Sequence, residues 1–377
     1  MITQTCIPAL VAALVGRLPV LVAMLAILAT VAFGSVAVAD DRDDGTVRVM
    51  TRNLYHGFDP AVITVAPAAQ IPFAAATAYQ MIQASKPAER AAAVAAEIVR
   101  HRVDLVGLQE ATIVRKGLLQ LPPGPNFLPA TEVVSDNLEL LLDALKKLGE
   151  PYHVVAIVPG LDAQLPTALG FDARVSIRDA IIARSRSSHL KLSNVQVQGF
   201  LVNRTFPTAS GIPLLNPRGW ASVDVEANGR KFRFATAHLE EPHPAQAPQA
   251  HDMIKGAGNT TLPVVFVGDF NVVANSGLDP SFPVYQRFIN AGFTDAWNVK
   301  HALASGLTCC QAPNLLNPTS QVNRRIDLVL FRGAFQVDGI ELVGEKPSNR
   351  TPSGLWPSDH AGVVATLKIP RTNGHHH

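Results

Sequence analysis

Polar side chains that are costly to bury stand at the end of an apolar segment in this 377-residue sequence. The segment "VFVGDFN" (265–271) closes on Asp269 and Asn271, and an ordinary buried strand gains nothing from a carboxylate or a carboxamide. Side chains alternate in direction along a strand, so both groups would point to the same side. This arrangement indicates a functional site at the tip of the strand.

The same pattern recurs where other apolar segments stop or start. The residues concerned are Asn53, Glu110, His238, Asp327, Asp359 and His360. In a mixed sheet, the carboxyl end of one strand lies beside the amino end of an antiparallel neighbour, so we expect these side chains to gather at one edge. A single acid at a strand end is usually a turn or cap residue. Several of them on apolar strands favour one shared site.

Acids, amides and histidines without an activated serine or cysteine fit metal-assisted hydrolysis of a phosphoester by direct attack of water. Carboxylates suit Mg²⁺, or alternatively Mn²⁺, because both are hard cations that bind phosphate oxygens as well. A histidine beside an acid can take a proton from water. The sequence contains no G-x-S-x-G, P-loop or H-E-x-x-H motif that would indicate a different mechanism.

The elements that must position these residues are mainly short apolar strands. We predict strands at 46–51, 103–109, 153–158, 179–184, 263–269, 325–331 and 360–369, and helices at 88–102 and 136–149. The segment 220–238 predicts a hairpin that turns at Asn228 and Gly229. Many strands with few helices predict a layered α/β protein with stacked sheets. The apolar segment 60–82 is expected to pack on the body or line a substrate groove.

Six segments resemble, in their order along the chain, the endonuclease/exonuclease/phosphatase superfamily, which includes deoxyribonuclease I, apurinic endonucleases, neutral sphingomyelinases and inositol-polyphosphate phosphatases. They are "RNLYHG" (52–57), "DLVGLQE" (104–110), "TAHLE" (236–240), "VGDFN" (267–271), "RRIDLVL" (324–330) and "SDHAGV" (358–363). The resemblance implies an α/β fold, a four-layer α/β/β/α sandwich of two packed mixed sheets, with the site at one edge.

The resemblance also implies roles for the matching residues. Glu110 would be the principal metal ligand, Asn53 a ligand or a partner beside it, and Asp359 a further ligand. His360 would be the general base, and Asp327 the acid that orients it. These roles are implied by the resemblance to the family, and the spacing of the residues along the sequence does not indicate them.

Five further residues match positions that touch substrate or water in the family. His238 would donate a hydrogen bond to the phosphate in the transition state. Asp269 would position the attacking water or act as a base, which leaves open whether Asp269 or His360 takes the proton, and Asn271 would donate to a phosphate oxygen. Arg178 and Asp179 would contact substrate, with a structural ion pair as the alternative.

The sequence thus predicts a Mg²⁺-dependent phosphodiesterase with no obligate protein partner, expected to be a monomer. Nucleic acid is the first predicted substrate, and a phospholipid or sphingomyelin is the alternative. The net charge of +2 does not indicate a polyanion-binding patch, whereas an exposed segment 60–82 or an exposed Trp356 would favour lipid. His56 is expected to be an ordinary loop residue, with a contact to substrate as the alternative. A catalytically silent binding protein on the same scaffold is a third hypothesis, although no matched position is missing.

The first 39 residues predict a secretory signal peptide, because one arginine precedes a long apolar run that ends in Ala37-Val38-Ala39. An uncleaved membrane anchor is the alternative. Cleavage before Asp40 would leave a secreted domain at 40–369 and a disordered tail at 370–377. The adjacent Cys309 and Cys310 would then be the remaining cysteines, expected as two thiols or a local disulfide rather than as metal ligands.

Overall fold

The computed structural model describes residues 45–120, 128–187, 189–211 and 213–370. Within them the strands are β1 (Thr46–Asn53), β2 (Leu105–Gln109), β3 (Ile113–Leu118), β4 (Glu132–Asp136), β5 (Tyr152–Pro166), β6 (Phe171–Arg184), β7 (Leu190–Gly199), β8 (Arg204–Phe206), β9 (Leu214–Asn216), β10 (Gly219–Ala227), β11 (Arg230–His238), β12 (Val264–Asp269), β13 (Thr294–Asp295), β14 (Asp327–Arg332), β15 (Gln336–Val343) and β16 (Gly362–Lys368). The predicted leader lies outside the described residues, as does the predicted tail beyond residue 370.

Seven α-helices and two short 3-10 helices accompany the strands in the described ranges. The α-helices are α1 (Ala61–Thr64), α2 (Ile71–Ala84), α3 (Pro87–Arg100), α4 (Asn137–Lys147), α5 (Gln246–Lys255), α6 (Phe282–Asn290) and α7 (Ala296–Lys300), and the 3-10 helices are Ala68–Gln70 and Pro347–Asn349. A search of the same ranges for a helix with the length and hydropathy of a membrane span found none.

The strands form two large mixed sheets and one small hairpin. The first sheet has the order β15-β16-β1-β2-β6-β3-β4, with β5 paired to β6, and the second has the order β13-β14-β12-β11-β10-β7. Each sheet contains one parallel pair, β1 with β2 and β11 with β12, while the other neighbours are antiparallel. Strands β8 and β9 pair only with each other.

Alternating side chains bury both faces of each sheet. In β1, Val47 and Val49 lie in the core between the sheets, whereas Met50 belongs to the outer core beneath α3 and α4. In β12, Val265 and Val267 lie in the same inner core, whereas Phe266 packs with α5 and α6. Each sheet is therefore covered by helices on one face and by the other sheet on the other face. The predicted four-layer α/β/β/α sandwich is confirmed.

Gly107 of β2 marks the closest approach of the two sheets. A methyl group at this position would lie 2.4 Å from Oγ1 of Thr236 in β11 and 2.6 Å from Cγ2 of Val267 in β12. Such distances are far inside van der Waals contact, so only glycine allows the strands to pack here. The glycine in "DLVGLQE" therefore has a packing role next to Glu110.

Two segments differ from the prediction in ways that affect the site. Strands β5 and β6 extend beyond the predicted 153–158 and 179–184. Their extra length, residues 159–177, is called the arm, and β3 pairs with β6 along its other edge. Segment 60–82 is mostly helical and consists of α1, a 3-10 turn and most of α2. The predicted hairpin at Asn228 and Gly229 is present, because β10 and β11 pair on either side of them.

Candidate active site

Three site residues lie side by side at the ends of neighbouring strands, along one edge of the second sheet. His238, the last residue of β11, is in register with Asp269, the last residue of β12. Asp269 is in turn in register with Asp327, the first residue of β14, which runs antiparallel to β12. Alternation along the strands points these neighbouring side chains to the same side of the sheet. The fold itself thus creates a row of one imidazole and two carboxylates.

His360 joins this row from the first sheet. It lies two residues before β16, and its Nδ1 is 2.8 Å from Oδ2 of Asp327. Its Nε2 is 3.7 Å from Oδ2 of Asp269. Potential ligand atoms of these three side chains all lie within 4.8 Å of one another. The predicted pairing of His360 with Asp327 is therefore present in the structure.

Asn271 completes this group. Its backbone has a positive φ of 51°, an unusual conformation for a residue other than glycine, and its N–H donates to Oδ1 of Asp269 at 3.1 Å. Its Nδ2 donates to the carbonyl of Leu239 at 3.0 Å and lies 3.2 Å from Nε2 of His238. Burial and the charge of Arg218 hold the pKa of His238 well below its usual value, so this imidazole is neutral.

Glu110 and Asp179 stand at the corresponding edge of the first sheet. Glu110 directly follows β2 and also has a positive φ, of 58°. Its backbone N–H donates to Oδ1 of Asp179 in β6 at 3.2 Å, and that same oxygen is 3.8 Å from Nδ1 of His238. Burial raises the pKa of Asp179 to about 7. Asp179 in the first sheet therefore contacts both Glu110, the predicted metal ligand, and His238 of the second sheet.

His56 was missed by the sequence prediction as a site residue. Its backbone N–H donates to Oε2 of Glu110 at 2.8 Å, and its Nδ1 makes a hydrogen-bonded ion pair with the same oxygen. Burial would lower the pKa of His56, but the charge of Glu110 raises it; in return His56 lowers the pKa of Glu110 against the effect of burial. His56 lies in a loop, as expected, and its ring also pairs with Glu110 on the wall of the cavity. The segment "RNLYHG" was quoted, but no sequence signal pairs His56 with Glu110.

Arg218 is a second residue that the sequence did not reveal. It lines the same cavity, and its Nε lies 3.6 Å from Oε2 of the fully buried Glu240. Its Nη1 donates to the carbonyl of His238 at 3.5 Å. Its positive charge lowers the pKa of His238 and partly counteracts the burial that raises the pKa of Asp269. Arg218 thus supplies a cation to a predominantly acidic site.

Arg178 fits the structural alternative as well as the substrate-contact prediction. Its Nη2 donates to Oδ1 of Asp136 at 2.6 Å, and its Nε donates to the carbonyl of Ala111 at 3.0 Å. Asp136 in turn accepts from the first N–H groups of α4 as its N-cap. The guanidinium therefore connects β6 to α4, although the side chain also lines the cavity.

Trp356, considered in the sequence analysis, and His243 have identifiable environments. Trp356 is fully buried with Tyr55 and donates from Nε1 to the carbonyl of Asn317 at 2.8 Å, so it does not form an exposed aromatic surface. His243 accepts from the backbone of Ala245 at 3.1 Å, which is a turn contact.

The adjacent cysteines border the site. Cys309 and Cys310 are joined as a disulfide, as the local-disulfide expectation allowed. Sγ of Cys310 is 3.9 Å from Nε2 of His360, and both cysteines line the cavity. The two sulfurs also lie within 3.5 Å of Nη2 of Arg324. The pair is therefore part of the wall around His360.

The donor set is suitable for a hard divalent cation. The carboxylates of Asp269, which is buried, and of Glu110 and Asp359, which are partly buried, lie on the wall of one cavity. Asn53 donates from Nδ2 to Oδ2 of Asp269 at 3.2 Å. Burial and the negative charge of Glu110 raise the pKa of Asp359, which means that the carboxylates repel one another. A cation among oxygen donors would relieve this repulsion. Glu110 and Asp359 thus offer oxygen donors to a Mg²⁺ or Mn²⁺ ion on the cavity wall, whereas Oδ1 of Asn53 accepts the N–H of Tyr55 at 2.8 Å.

His360 differs from His238 in its charge. Burial would lower the pKa of His360, but the carboxylates of Asp327, Asp359 and Asp269 raise it well above the usual value. Burial and the charge of Asp327 raise the pKa of Asp269 to about 7. Because Asp269 and His360 interact closely, each titration step belongs to the pair rather than to one of the two residues.

These groups lie at one end of a cavity of about 600 Å³. The other walls come from segment 60–82, the arm and the β8–β9 hairpin, and they are largely apolar. The volume lies within the range of small-molecule sites.

Comparison with known proteins agrees with this geometry. The family model described as "Endonuclease/Exonuclease/phosphatase family" matches residues 53–360. Among solved structures, an endonuclease/exonuclease/phosphatase family protein from Bacteroides thetaiotaomicron is 18% identical with a TM-score of 0.51, and the match covers 86% of this chain and 98% of that one. A family protein from Leptotrichia buccalis is 14% identical, with a TM-score of 0.51 and coverages of 86% and 100%.

A third similar structure is a mannosyl-6-phosphatase from Bacteroides thetaiotaomicron, 19% identical with a TM-score of 0.50, covering 85% of this chain and 99% of that one. At such identities the solved structures establish the fold alone. Among curated protein sequences, none matches the chain significantly. The family model spans more than half of the sequence, from Asn53 to His360, and the chain therefore belongs to the endonuclease/exonuclease/phosphatase family.

Proposed function

We propose that the chain is a divalent-metal-dependent phosphodiesterase that cleaves its substrate by attack of water. The family consists of hydrolases that act on phosphate esters, and the fold is that of such a phosphoesterase. The observation that carries the proposal is the contact of His360 with both Asp327 and Asp269 in the cavity that also exposes Glu110. A histidine that is oriented by one acid and lies beside another can take part with them in removing a proton from a water molecule.

In this proposal, Glu110, Asn53 and Asp359 hold Mg²⁺ or Mn²⁺. When bound, such an ion stabilises the negative charge that develops on the phosphate oxygens. The carboxylate of Glu110 lies on the cavity wall, which supports this assignment. Asp179 has a positioning role, because it accepts a hydrogen bond from the backbone of Glu110.

The remaining groups act on water and phosphate. Asp269 and His360 together orient the attacking water and accept its proton, while Asp327 keeps the imidazole of His360 in place. Nδ2 of Asn271 lies 3.2 Å from Nε2 of His238, and in this proposal the two side chains contact neighbouring phosphate oxygens of the bound substrate.

The charge of the cavity wall bears on the choice of substrate. Among the described residues, the wall contains three arginines and no lysine, whereas its acidic residues are Asp59, Glu110, Asp179, Glu240, Glu241, Asp269 and Asp359. Two of the arginines, Arg178 and Arg218, already lie beside acids. A polynucleotide needs a run of unpaired cations. The wall therefore supports a lipid phosphodiester better than the nucleic acid that we predicted first.

One assay of the purified protein tests both the reaction and the substrate. Plasmid DNA, RNA, sphingomyelin, phosphatidylcholine and inositol phosphates are incubated with Mg²⁺, with and without a chelator. We expect chelator-sensitive hydrolysis of a lipid, and its loss in His360→Ala but not in the exposed control Asp338→Asn. Efficient hydrolysis of DNA or RNA alone would restore the nuclease prediction, and no hydrolysis of any substrate would favour the binding protein.

The sequence supports export of this enzyme. Residues 1–39 have the pattern of a signal peptide, and we propose that the mature chain begins at Asp40. Sequencing the amino terminus of the protein recovered from culture medium tests this. A chain retained with its leader in the membrane fraction would contradict cleavage.

A further inference from the structure

We propose that the cavity has a separate compartment for the hydrocarbon chain of a lipid phosphodiester, an inference that rests on the proposed function. The compartment, which we call the apolar chamber, is the part of the cavity lined by residues 60–82, by the arm, and by Phe206 and Leu214 of the β8–β9 hairpin. The residues that segment 60–82 and the arm contribute to the lining are all uncharged.

One strand connects the chamber directly to the reacting groups. Ala173, Val175, Ile177 and Asp179 alternate along β6, so they lie on one face of the strand, and all four line the cavity. Six residues of extended strand span roughly 20 Å. The hydrocarbon core of a bilayer is ~30 Å thick, so an acyl chain in one leaflet extends over about half of that thickness. A lipid whose phosphate lies near Asp179 could therefore lay its chain along this strand.

The partner strand continues the same wall. In β5, Leu165 is in register with Ala173 and Ala163 is in register with Val175, and both β5 residues line the cavity. The opposite face of the arm is polar, since Nε of Arg174 donates to Oδ1 of Asp162 at 2.8 Å. The arm thus has a charged face and an apolar face, and the apolar face is turned towards the cavity.

Helix α2 covers this apolar face. Its residues Ala75, Ala78 and Tyr79 line the cavity, and the ring of Tyr79 packs edge-on against Phe171 of the arm at 5.0 Å between centroids. The backbone N–H of Ala168 donates to the carbonyl of Pro72 at 2.8 Å, which attaches the tip of the arm to the start of the helix. The segment from Pro60 to Ser85 contains no charged residue.

The β8–β9 hairpin closes the chamber on a third side. Phe206 and Leu214 form a cross-strand pair and both line the cavity. The loop between these strands is held to α1, because the N–H of Ala209 donates to the carbonyl of Thr64 at 2.8 Å. Three separate segments of the chain are therefore fastened together around an apolar space that opens onto the reacting groups.

Side chains of this chamber remain partly accessible although they are apolar. Leu161, Leu165 and Ile177 are only half-buried. Burying such surface against a hydrocarbon chain is favourable, and the gain grows with each methylene group of the ligand. A chain in the chamber would therefore increase the logarithm of the specificity constant in proportion to the chain length, until the chamber is filled.

The dependence of the specificity constant on chain length can be tested with water-soluble diesters, which avoid interference from micelles. We would measure kcat/KM for methyl, butyl, hexyl and octyl 4-nitrophenyl phosphate, which share the leaving group and differ only in the alkyl chain. The value is expected to rise by up to about four-fold per methylene, the factor that corresponds to full burial of each group. In Ala75→Trp, which fills the chamber, the dependence on chain length should be lost. Ala84→Trp is the matched control, because Ala84 is exposed on the same helix.

The outcomes separate the two proposals. Failure of the wild type to hydrolyse even the methyl ester would argue against the phosphodiesterase, whereas hydrolysis at equal rates across the series would overturn the chamber alone. Should Ala75→Trp fail to fold, Leu161→Asn provides a second test, because this half-buried residue lines the same wall. Calorimetry with decyl phosphate on the metal-free protein adds a readout other than activity. A negative heat-capacity change that Ala75→Trp reduces is expected, and an unchanged value would count against the chamber.

Discussion

Nδ1 of His360 lies 2.8 Å from Oδ2 of Asp327, and this contact joins the two sheets of the sandwich. Asp327 begins β14 in the second sheet, whereas His360 precedes β16 in the first sheet. Both side chains are buried. Because strand ends from different sheets supply the two partners, their geometry depends on the packing of the whole sandwich rather than on a flexible loop.

Replacing Asp327 with asparagine should reduce kcat by about 10²–10⁴-fold, the range typical for general acid–base groups. The amide keeps the size of the side chain but no longer stabilises the charged imidazole of His360, whose pKa the carboxylate raises. Steady-state kinetics on the preferred diester measure the effect. Asp338→Asn, on an exposed position of β15, is the control. A variant with wild-type kcat would exclude a role for this pair in the reaction.

Metal binding should stabilise the folded protein through Glu110. A ligand present at 100 times its dissociation constant adds about 2.7 kcal/mol to the free energy of unfolding, so Mg²⁺ should raise the melting temperature. The Glu110→Gln variant removes the central carboxylate and should lose most of this increase together with activity. Differential scanning calorimetry with and without Mg²⁺ measures it. Glu139→Gln, on the exposed face of α4, should respond like the wild type. An equal shift in both variants would place the ion elsewhere.

Strong local signals predicted stacked strands and polar side chains at the strand ends, whereas the four-layer sandwich was implied by the family resemblance. Apolar strands such as β12 are easy to detect, and a carboxylate at the tip of such a strand, like Asp269, has few structural explanations. The adjacency of His238, Asp269 and Asp327 then follows from strand order and register. This part of the site is encoded almost residue by residue.

The arm and two site residues were not predictable for a physical reason. Residues 159–177 mix charged, small and apolar side chains because one face of the arm is turned to water and the other to the cavity, so they lack the apolar run of a core strand. His56 and Arg218 act through contacts with residues far away in sequence. The polar strand β7 was missed too, since it lies at a sheet edge and is largely exposed.

Removing Glu97 should destabilise the fold by about 3–5 kcal/mol, because it leaves a buried charge without its partner. Nε of the fully buried Arg52 lies 3.0 Å from Oε2 of Glu97, and its Nη1 donates to the carbonyl of His360. Denaturant unfolding of Glu97→Ala measures the loss. The exposed pair of Lys191 and Glu226 is the control, and Lys191→Ala should cost less than about 1 kcal/mol. Similar losses in both variants would mean that burial does not strengthen the Arg52 pair.

Adding one methyl group at Gly107 should destabilise the protein by about 1–3 kcal/mol, the usual cost of overpacking a dense core. The new carbon would lie 2.6 Å from Cγ2 of Val267 and 2.4 Å from Oγ1 of Thr236, so strand β2 must move away from the second sheet. Since Glu110 lies three residues further along the chain, this movement should also lower kcat. Combining Gly107→Ala with Val267→Ala creates space for the methyl group, and the double variant should be more stable than the sum of the two single losses predicts. A purely additive result in denaturant unfolding would show that the sheets do not meet at this glycine. Gly339→Ala is the matched control, because a methyl group added there would meet open space.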